Sequence, residues 1–446
     1  MTDNKTVSTF GSRVGFILAS AGSAVGLGAI WKFPYMAGSH GGFVFVLPYI
    51  LFTFTIGIVM LISEYAIGRA GKQAAIGSLR RVAGKYWTIF GALGVLTGFT
   101  ILCFYSCVGG WCLKYLVDAI TGQGLMVNTD QLNQHFGSFV SDGVKSYAYQ
   151  LVFLVANAYV VIKGVEKGIE RLSKVLMPLL FILMLILIVR GLSLPGAWEG
   201  VEYLFKPQWD AFNAETIFNA MGFTFFSLSL GSGAMVTYAG YLSEKENLLT
   251  STAWVAFLAI LSALLGGLMV MPTVFAFDLS PTAGPGLTFV TMPAIFAQMP
   301  LGQLFAVAFY LCLVVAAITS SVSMLEAMTA TLIQETRVNR TMMTVIATIV
   351  AAIIGLFCTL SFGSLSEFKI WGRTVFDLLD FLTSNIGMPV SLMGFSFVSA
   401  WVSWHVTKKQ LTTASSLSPR TLGLLRFGIG VLSPILIVTV VLSGLL

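Results

Sequence analysis

The sequence predicts an all-α polytopic membrane protein with eleven transmembrane helices. Three observations predict it. Of 446 residues, 57% are hydrophobic and 10% charged, with mean hydropathy +0.88, whereas a soluble domain is usually about a quarter charged. Eleven segments reach the roughly 20 mostly apolar residues that a membrane crossing needs. Two of these segments carry matched clusters of small residues in mid-span: Gly22-Ser-Ala-Val-Gly-Leu-Gly28 in the first and Ser227-Leu-Ser-Leu-Gly-Ser-Gly233 in the sixth. Five spans separate the two, and an odd number inverts the second unit relative to the first. Paired interrupted segments in inverted halves point to the substrate site of a secondary transporter. Close packing through small residues explains one such cluster well and two matched ones poorly.

Taken in order, the spans are 13–37, 42–70, 87–120, 145–162, 170–190, 214–240, 248–276, 301–333, 341–362, 374–403 and 420–446. They divide the chain into a tail (1–10), a first five-span repeat (11–190), an outer loop (191–213), a second, inverted five-span repeat (214–403), and a loop with one extra C-terminal helix (404–446). The tail lacks the apolar core of a cleavable signal, so the first span is expected to stay in the membrane. That span cannot be only an anchor. Each interior glycine costs about 1 kcal/mol of helix stability, and an intramembrane lysine such as Lys32 costs about 2.5–3.5 kcal/mol unless it finds water or a partner. The helix is read as interrupted, with exposed backbone that binds the transported solute and ion. The sixth span is read as its inverted counterpart. Between spans, 121–144 and 191–213 are the longest polar loops, and 277–300, with Pro281, Pro285 and Pro293, is an outer loop holding a short helix over 289–298.

Orientation follows from the cationic side chains. With the N-terminus in the cytoplasm, 18 of the 25 Lys and Arg fall on the inner side, from Lys5 and Arg13 through Arg80 and Lys174 to Arg426. Eleven spans then place the C-terminus outside. The net charge of +6 sits in short loops beside apolar runs and is no signal for nucleic acid. The five cysteines spell no redox or metal pattern and read as small core residues. The three histidines are scattered, and no nucleophile–base set appears, so an enzyme is not expected.

Six motifs then carry a resemblance: Gly26-Leu-Gly28-Ala-Ile-Trp-Lys-Phe-Pro-Tyr35, Ser63-Glu-Tyr-Ala-Ile-Gly-Arg69, Phe104-Tyr-Ser106 followed by Trp111, Lys163-Gly-Val-Glu-Lys167 through Ser173-Lys174, Phe226-Ser-Leu-Ser-Leu-Gly231, and Ala316-Ala-Ile-Thr-Ser-Ser321. Together they resemble the neurotransmitter:sodium symporter family, in order and over nearly the whole chain, and most closely its bacterial amino-acid members. The resemblance implies the LeuT-type fold, with helices 1 and 6 broken, in a bacterial cytoplasmic (inner) membrane. For the solute, it implies Leu27 and Gly28 N–H groups and the Tyr105 hydroxyl at the carboxylate, where a half-helix N-terminus favours an anion. It implies the carbonyls of Ala24 and Phe226, with Ser229, at the amine. Ile101, Phe226, Ser232, Ser320 and Met324 form the implied side-chain wall, with Ser227 close by. Sodium is a hard cation that takes several oxygen ligands. The second sodium site is implied at the carbonyls of Gly22, Val25 and Ala316 and the hydroxyls of Thr319 and Ser320.

The first sodium site departs from the family pattern. Ala29 and Leu258 stand at the two asparagine positions, and methyl groups cannot coordinate a cation. One sodium per cycle is therefore expected. Tyr49 and Ser262 occupy plausible chloride positions, but Phe223 replaces the glutamine, so chloride is not expected. Lys32 and Asp380 are implied as the outer gate, with Tyr105 and Phe226. At the inner gate the usual pair becomes Val7 and Gln334, beside Lys5 and Glu335. Glu64 and Glu326 read as structural acids. The small serine-rich walls favour a small or polar zwitterion, including a β-amino acid or a taurine-like amino sulfonate. Proton-coupled or uncoupled transport on the same fold is the alternative. A solute-binding receptor or channel is the alternative of another class.

Overall fold

The computed structural model describes residues 9–279 and 286–445, with side chains as far as Ser443. Lys5, Val7, Pro281 and Pro285 lie outside the described residues. Apart from two isolated bridges, Gly42 with Pro207 and Ile370 with Arg373, the regular structure among them is helical.

The first predicted span is two helices, α1 (Arg13–Ala24) and α2 (Gly28–Ser39), meeting at a bend of 49°. Then follow α3 (Phe43–Gly71), α4 (Lys85–Thr121), α5 (Gly143–Ile162) and α6 (Val165–Leu192). The sixth predicted span is again broken, into α7 (Ala214–Ser227) and α8 (Ala234–Gly240). The rest are α9 (Leu248–Ala276), α10 (Leu287–Gln298), α11 (Gly302–Thr336), α12 (Arg340–Leu360), α13 (Val375–Val402) and α14 (Pro419–Ser443). Among the described residues, eight of these helices are long and apolar enough to cross a membrane, and the bent pair α1–α2 makes a ninth candidate. The remaining two predicted segments are occupied by α5 and by α7–α8. The polar residues that dilute α5 have interhelical work. Gln150 donates to Ser106 Oγ at 2.8 Å, and Asn157 accepts from Ser321 Oγ at 2.6 Å.

At the centre, α11 runs along α4 and also packs on α5, α6, α12 and α1. Helix α1 is held among α6, α9 and α11. All five cysteines are free and buried. The two long polar stretches contain helices that their composition did not announce, Thr129–Ser141 and Ala197–Phe205. The first caps one end of the bundle, where Phe136 stacks on Phe289 of α10 with ring centroids 5.3 Å apart. At the basic end, Lys72, one residue past α3, donates to the Leu242 carbonyl at 2.6 Å, and burial pulls its ammonium below the ordinary lysine range.

Buried acids are matched where they have partners. Glu326 is fully buried and meets Arg340 in a bidentate pair at 2.6 and 2.9 Å, while Tyr241 donates to it at 2.7 Å. Glu64 accepts the Gly231 N–H at 2.7 Å, and its second oxygen has no hydrogen-bond partner among the described residues.

Candidate functional site

The site is built where the two breaks face each other. In the first, Val25 leaves the helix at φ −88°, ψ 66°, and α2 restarts at Gly28 with a wide π turn. In the second, Ser229, Gly231 and Gly233 all take left-handed φ, at 52°, 77° and 73°. Glycine is required at 231 for a second reason, because a Cβ there would overlap the Met388 carbonyl. Ser391 of α13 donates to the Gly231 carbonyl, and Glu64 of α3 accepts its N–H, so both sides of the unwound peptide are held.

Between the breaks lies a small cavity of about 20 Å³. Ala24, Gly28, Ile101, Tyr105, Phe226, Ser227, Ser229, Ser232, Ser320 and Met324 line it, together with Ser23, Gly26 and Met388. Leu27, expected at the solute but not on the wall, reaches the wall residue Tyr105 through its backbone, its N–H donating to the Tyr105 hydroxyl at 3.0 Å. Two hydroxyls converge on one carbonyl, with Ser229 Oγ at 2.8 Å and Ser320 Oγ at 2.9 Å from Ser23 O. Sequence reasoning did not single out Ser23, although it lies inside the matched glycine run. It also missed Met388, whose surroundings on α13 carry no recognisable motif. Among the described residues, no charged side chain lines this cavity. Backbone donors, hydroxyls and carbonyls are what it offers an ion or a zwitterion.

The expected sodium ligands sit on neighbouring surfaces. A Cβ on Gly22 would lie 3.2 Å from Thr319 Cβ and 3.3 Å from Met177 Sδ, so α1, α11 and α6 meet there. Thr319 Oγ1 lies 3.1 Å from both the Val315 and Ala316 carbonyls. A Cβ on Gly26 would meet Ser320 Oγ at 2.8 Å and Tyr105 Oη at 3.1 Å.

Around the first-site positions the surroundings are apolar or internally bonded. Ala29 is buried and its carbonyl abuts Gly266 of α9, whereas Leu258 is half-buried two turns earlier. Ser227 Oγ bonds back to Thr224 O at 3.2 Å, and Ser262 Oγ to Ala259 O at 2.8 Å. Phe223 packs against Tyr49 at 5.1 Å, Phe33 at 5.8 Å and Phe45 at 5.9 Å between ring centroids.

Beyond Phe226 is a larger cavity of about 390 Å³ among α2, α7, α13 and α14. Phe226 and Met388 line both cavities and so stand between them. Lys32 does not pair with Asp380. Its Nζ lies 4.6 Å from the centroid of the Phe226 ring, and Asp380 accepts from Ser384 Oγ at 3.1 Å. A lysine there meets an aromatic face before it meets the carboxylate. At the opposite end, Gln334 accepts the Ala74 N–H at 2.9 Å and Glu335 pairs with Arg80 at 2.9 Å.

Two broken helices facing each other across a cavity walled by hydroxyls and backbone groups are the geometry of a solute carrier. The model of the sodium:neurotransmitter symporter family matches residues 7–134 and 131–446. The chain belongs to this family. The uncharacterized sodium-dependent transporter YhdH of Bacillus subtilis (strain 168) is 39% identical over 412 residues, covering 92% of this chain and 90% of that protein. An uncharacterized sodium-dependent transporter of Haemophilus influenzae is 31% identical over 430 residues, covering 92% and 93%. The crystal structure of MhsT in complex with L-phenylalanine superposes with a TM-score of 0.91 at 37% identity, covering 98% of this chain and 99% of that one. The family makes this chain a multi-pass, sodium-dependent membrane transporter of the LeuT fold and not an enzyme.

Proposed function

We propose that the protein is a sodium-coupled symporter that imports a small or polar amino acid or a related zwitterion by alternating access, with one sodium ion per cycle. The observation that carries this reading is the cavity between the breaks, walled by Ser23, Ser227, Ser229, Ser232 and Ser320 and closed by Phe226. The solute carboxylate sits at Leu27 N–H, Gly28 N–H and Tyr105, and its amine at the carbonyls of Ala24 and Phe226 with Ser229. Sodium sits at Gly22, Val25, Ala316, Thr319 and Ser320. Ala29, Leu258 and Phe223 replace the polar groups that a first sodium and a chloride need, so neither ion is part of the cycle. Phe226 is the lid. Lys32, resting on its ring, and Asp380 form a loose outer gate that closes further when they pair.

Eleven spans, two inverted five-helix repeats (11–190 and 214–403) and an extra last helix complete this reading. The N-terminus lies inside and the C-terminus outside a bacterial cytoplasmic membrane. A second substrate reading is an aromatic amino acid, favoured by the L-phenylalanine bound to MhsT. Ser232, small where the family usually has a bulky residue, leaves room for either.

A thermal-shift screen of amino acids, β-amino acids and amino sulfonates, with and without sodium, tests the proposal. A solute that binds the folded state stabilises it by mass action, and sodium should enlarge that shift. A full shift in sodium-free buffer would favour proton-coupled or uncoupled transport. Binding without exchange of labelled solute across proteoliposomes would favour a receptor.

A further inference from the structure

We propose that Glu170 is a positioning residue that clips the start of α1 to α6 and thereby keeps the sodium site closed toward the cytoplasm. The inference rests on the sodium site proposed above and adds what holds it shut. Its carboxylate accepts the Gly11 N–H at 2.6 Å through Oε2 and the Ser12 hydroxyl at 2.8 Å through Oε1. Ser12 is the N-cap of α1 and in turn accepts the Gly15 N–H at 3.0 Å. One side chain thus ties down the first turn of α1, where the helix dipole also favours a negative charge. Lys174, one turn further along α6, pairs with the same carboxylate at 2.7 Å. The fit is close, because a Cβ on Gly15 would overlap the Glu170 carboxylate.

The clip lies on the structural line to the ion. Moving seven residues along each helix leads from Gly15 beside Glu170 to Gly22 beside Met177. Gly22 and Val25, both proposed sodium ligands, ride on α1, while Thr319 belongs to α11. If α1 leaves α6, two of the ion's oxygens leave with it. Sodium binding and the clip therefore favour the same closed state, and each strengthens the other by the same factor. Another tie on this face runs to a different helix, where the Phe10 N–H donates to the Tyr241 carbonyl just past α8 at 3.2 Å. Glu335 is engaged with Arg80 and Gln334 with Ala74. Arg13 meets Glu246 at 3.5 Å with 41% of the arginine side chain exposed, and surface pairs of this kind contribute little.

The test uses the full-length protein in proteoliposomes with a reporter cysteine replacing the fully buried Ser20 of α1. Alkylation from the cytoplasmic side, with and without sodium, reads how often α1 opens. Adding Glu170→Gln to Ser20→Cys should raise the alkylation rate about tenfold in sodium-free buffer, the population change that corresponds to about 1.4 kcal/mol. It should also raise the sodium concentration that gives half-protection, by a factor that stays small while the closed state dominates and grows as the open state becomes the major one. Ser12→Ala, which leaves the carboxylate and Lys174 in place, should move both readouts in the same direction by less. Unchanged rates in both variants, with normal melting temperatures, would overturn the clip. A reporter that sodium does not protect at all would instead overturn the sodium site, and the sodium-free rates would still decide the clip.

Discussion

Tyr105 and Thr319 show how much rests on single oxygen atoms. The Tyr105 hydroxyl already meets the Leu27 N–H at 3.0 Å, so it stands where a solute carboxylate would find both donors. Tyr105→Phe keeps the ring and removes one hydrogen bond, whose net worth is about 0.5–1.5 kcal/mol. The expected outcome is a rise in KM for solute uptake of up to about tenfold, with a modest fall in the melting temperature of the solute-free protein because the buried Leu27 N–H loses its acceptor. Thr319→Ala removes one oxygen from the proposed sodium site and should raise the half-maximal sodium concentration about tenfold, taking about 1.4 kcal/mol for a contact to a charged group. Solute affinity extrapolated to saturating sodium should hold, and a KM change that sodium cannot correct would argue that Thr319 acts on the solute directly. Tyr105 and Thr319 drew notice through the family motifs they resemble, since a lone tyrosine or a mid-helix threonine more often only packs or bonds back to its own helix. Met388 did not, since methionine fills gaps in any core and only the turn of α13 brings it to the wall.

At the scale of elements, interruption was easier to read than closure. Glycines at 22, 26 and 28 and at 231 and 233 mark unwinding wherever they interrupt an apolar run, so both breaks could be seen in the sequence. The helices inside the polar stretches could not, because Thr129–Ser141 buries only Leu132, Phe139 and Val140 and its capping role depends on α10. Partner choice was harder still. Lys32 and Asp380 looked like a pair, yet the ammonium lies over the Phe226 ring, a contact that spacing along the chain does not reveal. The tie between α11 and α12 gives the clearest stability prediction. Glu326 is fully buried, and Arg340 neutralises it with two hydrogen bonds. Removing one partner of a buried pair strands a charge and costs about 3–5 kcal/mol. Arg340→Met should therefore lower the melting temperature sharply, and the double variant Glu326→Gln, Arg340→Met should recover most of the loss. A single variant as stable as the parent would show that Glu326 finds another partner.

For the whole molecule, the decisive quantity is the number of ions moved per cycle. The proposed second site draws its oxygens from both halves of the chain, Gly22 and Val25 on α1 and Ala316, Thr319 and Ser320 on α11, so one ion there already ties α1 to α11. A second ion beside the solute would need ligands that the neighbouring elements do not present. Ala29 and Leu258 carry no oxygen in their side chains, and the hydroxyls of Ser227 and Ser262 are returned to their own helices at 3.2 and 2.8 Å. Phe223 fills the adjoining space with rings packed on Phe33, Phe45 and Tyr49. Taking a bare cation into such surroundings without ligands costs far more than solute contacts return. Sodium dependence of uptake should accordingly rise with a Hill coefficient near one. In proteoliposomes, a single sodium moved with a net-neutral zwitterion carries one positive charge inward per solute, so uptake should be electrogenic. The accumulation ratio should then follow the first power of the sodium gradient at fixed membrane voltage. A second-power dependence would mean that backbone carbonyls alone can build the missing site, and the ion count read from Ala29 and Leu258 would have to be abandoned.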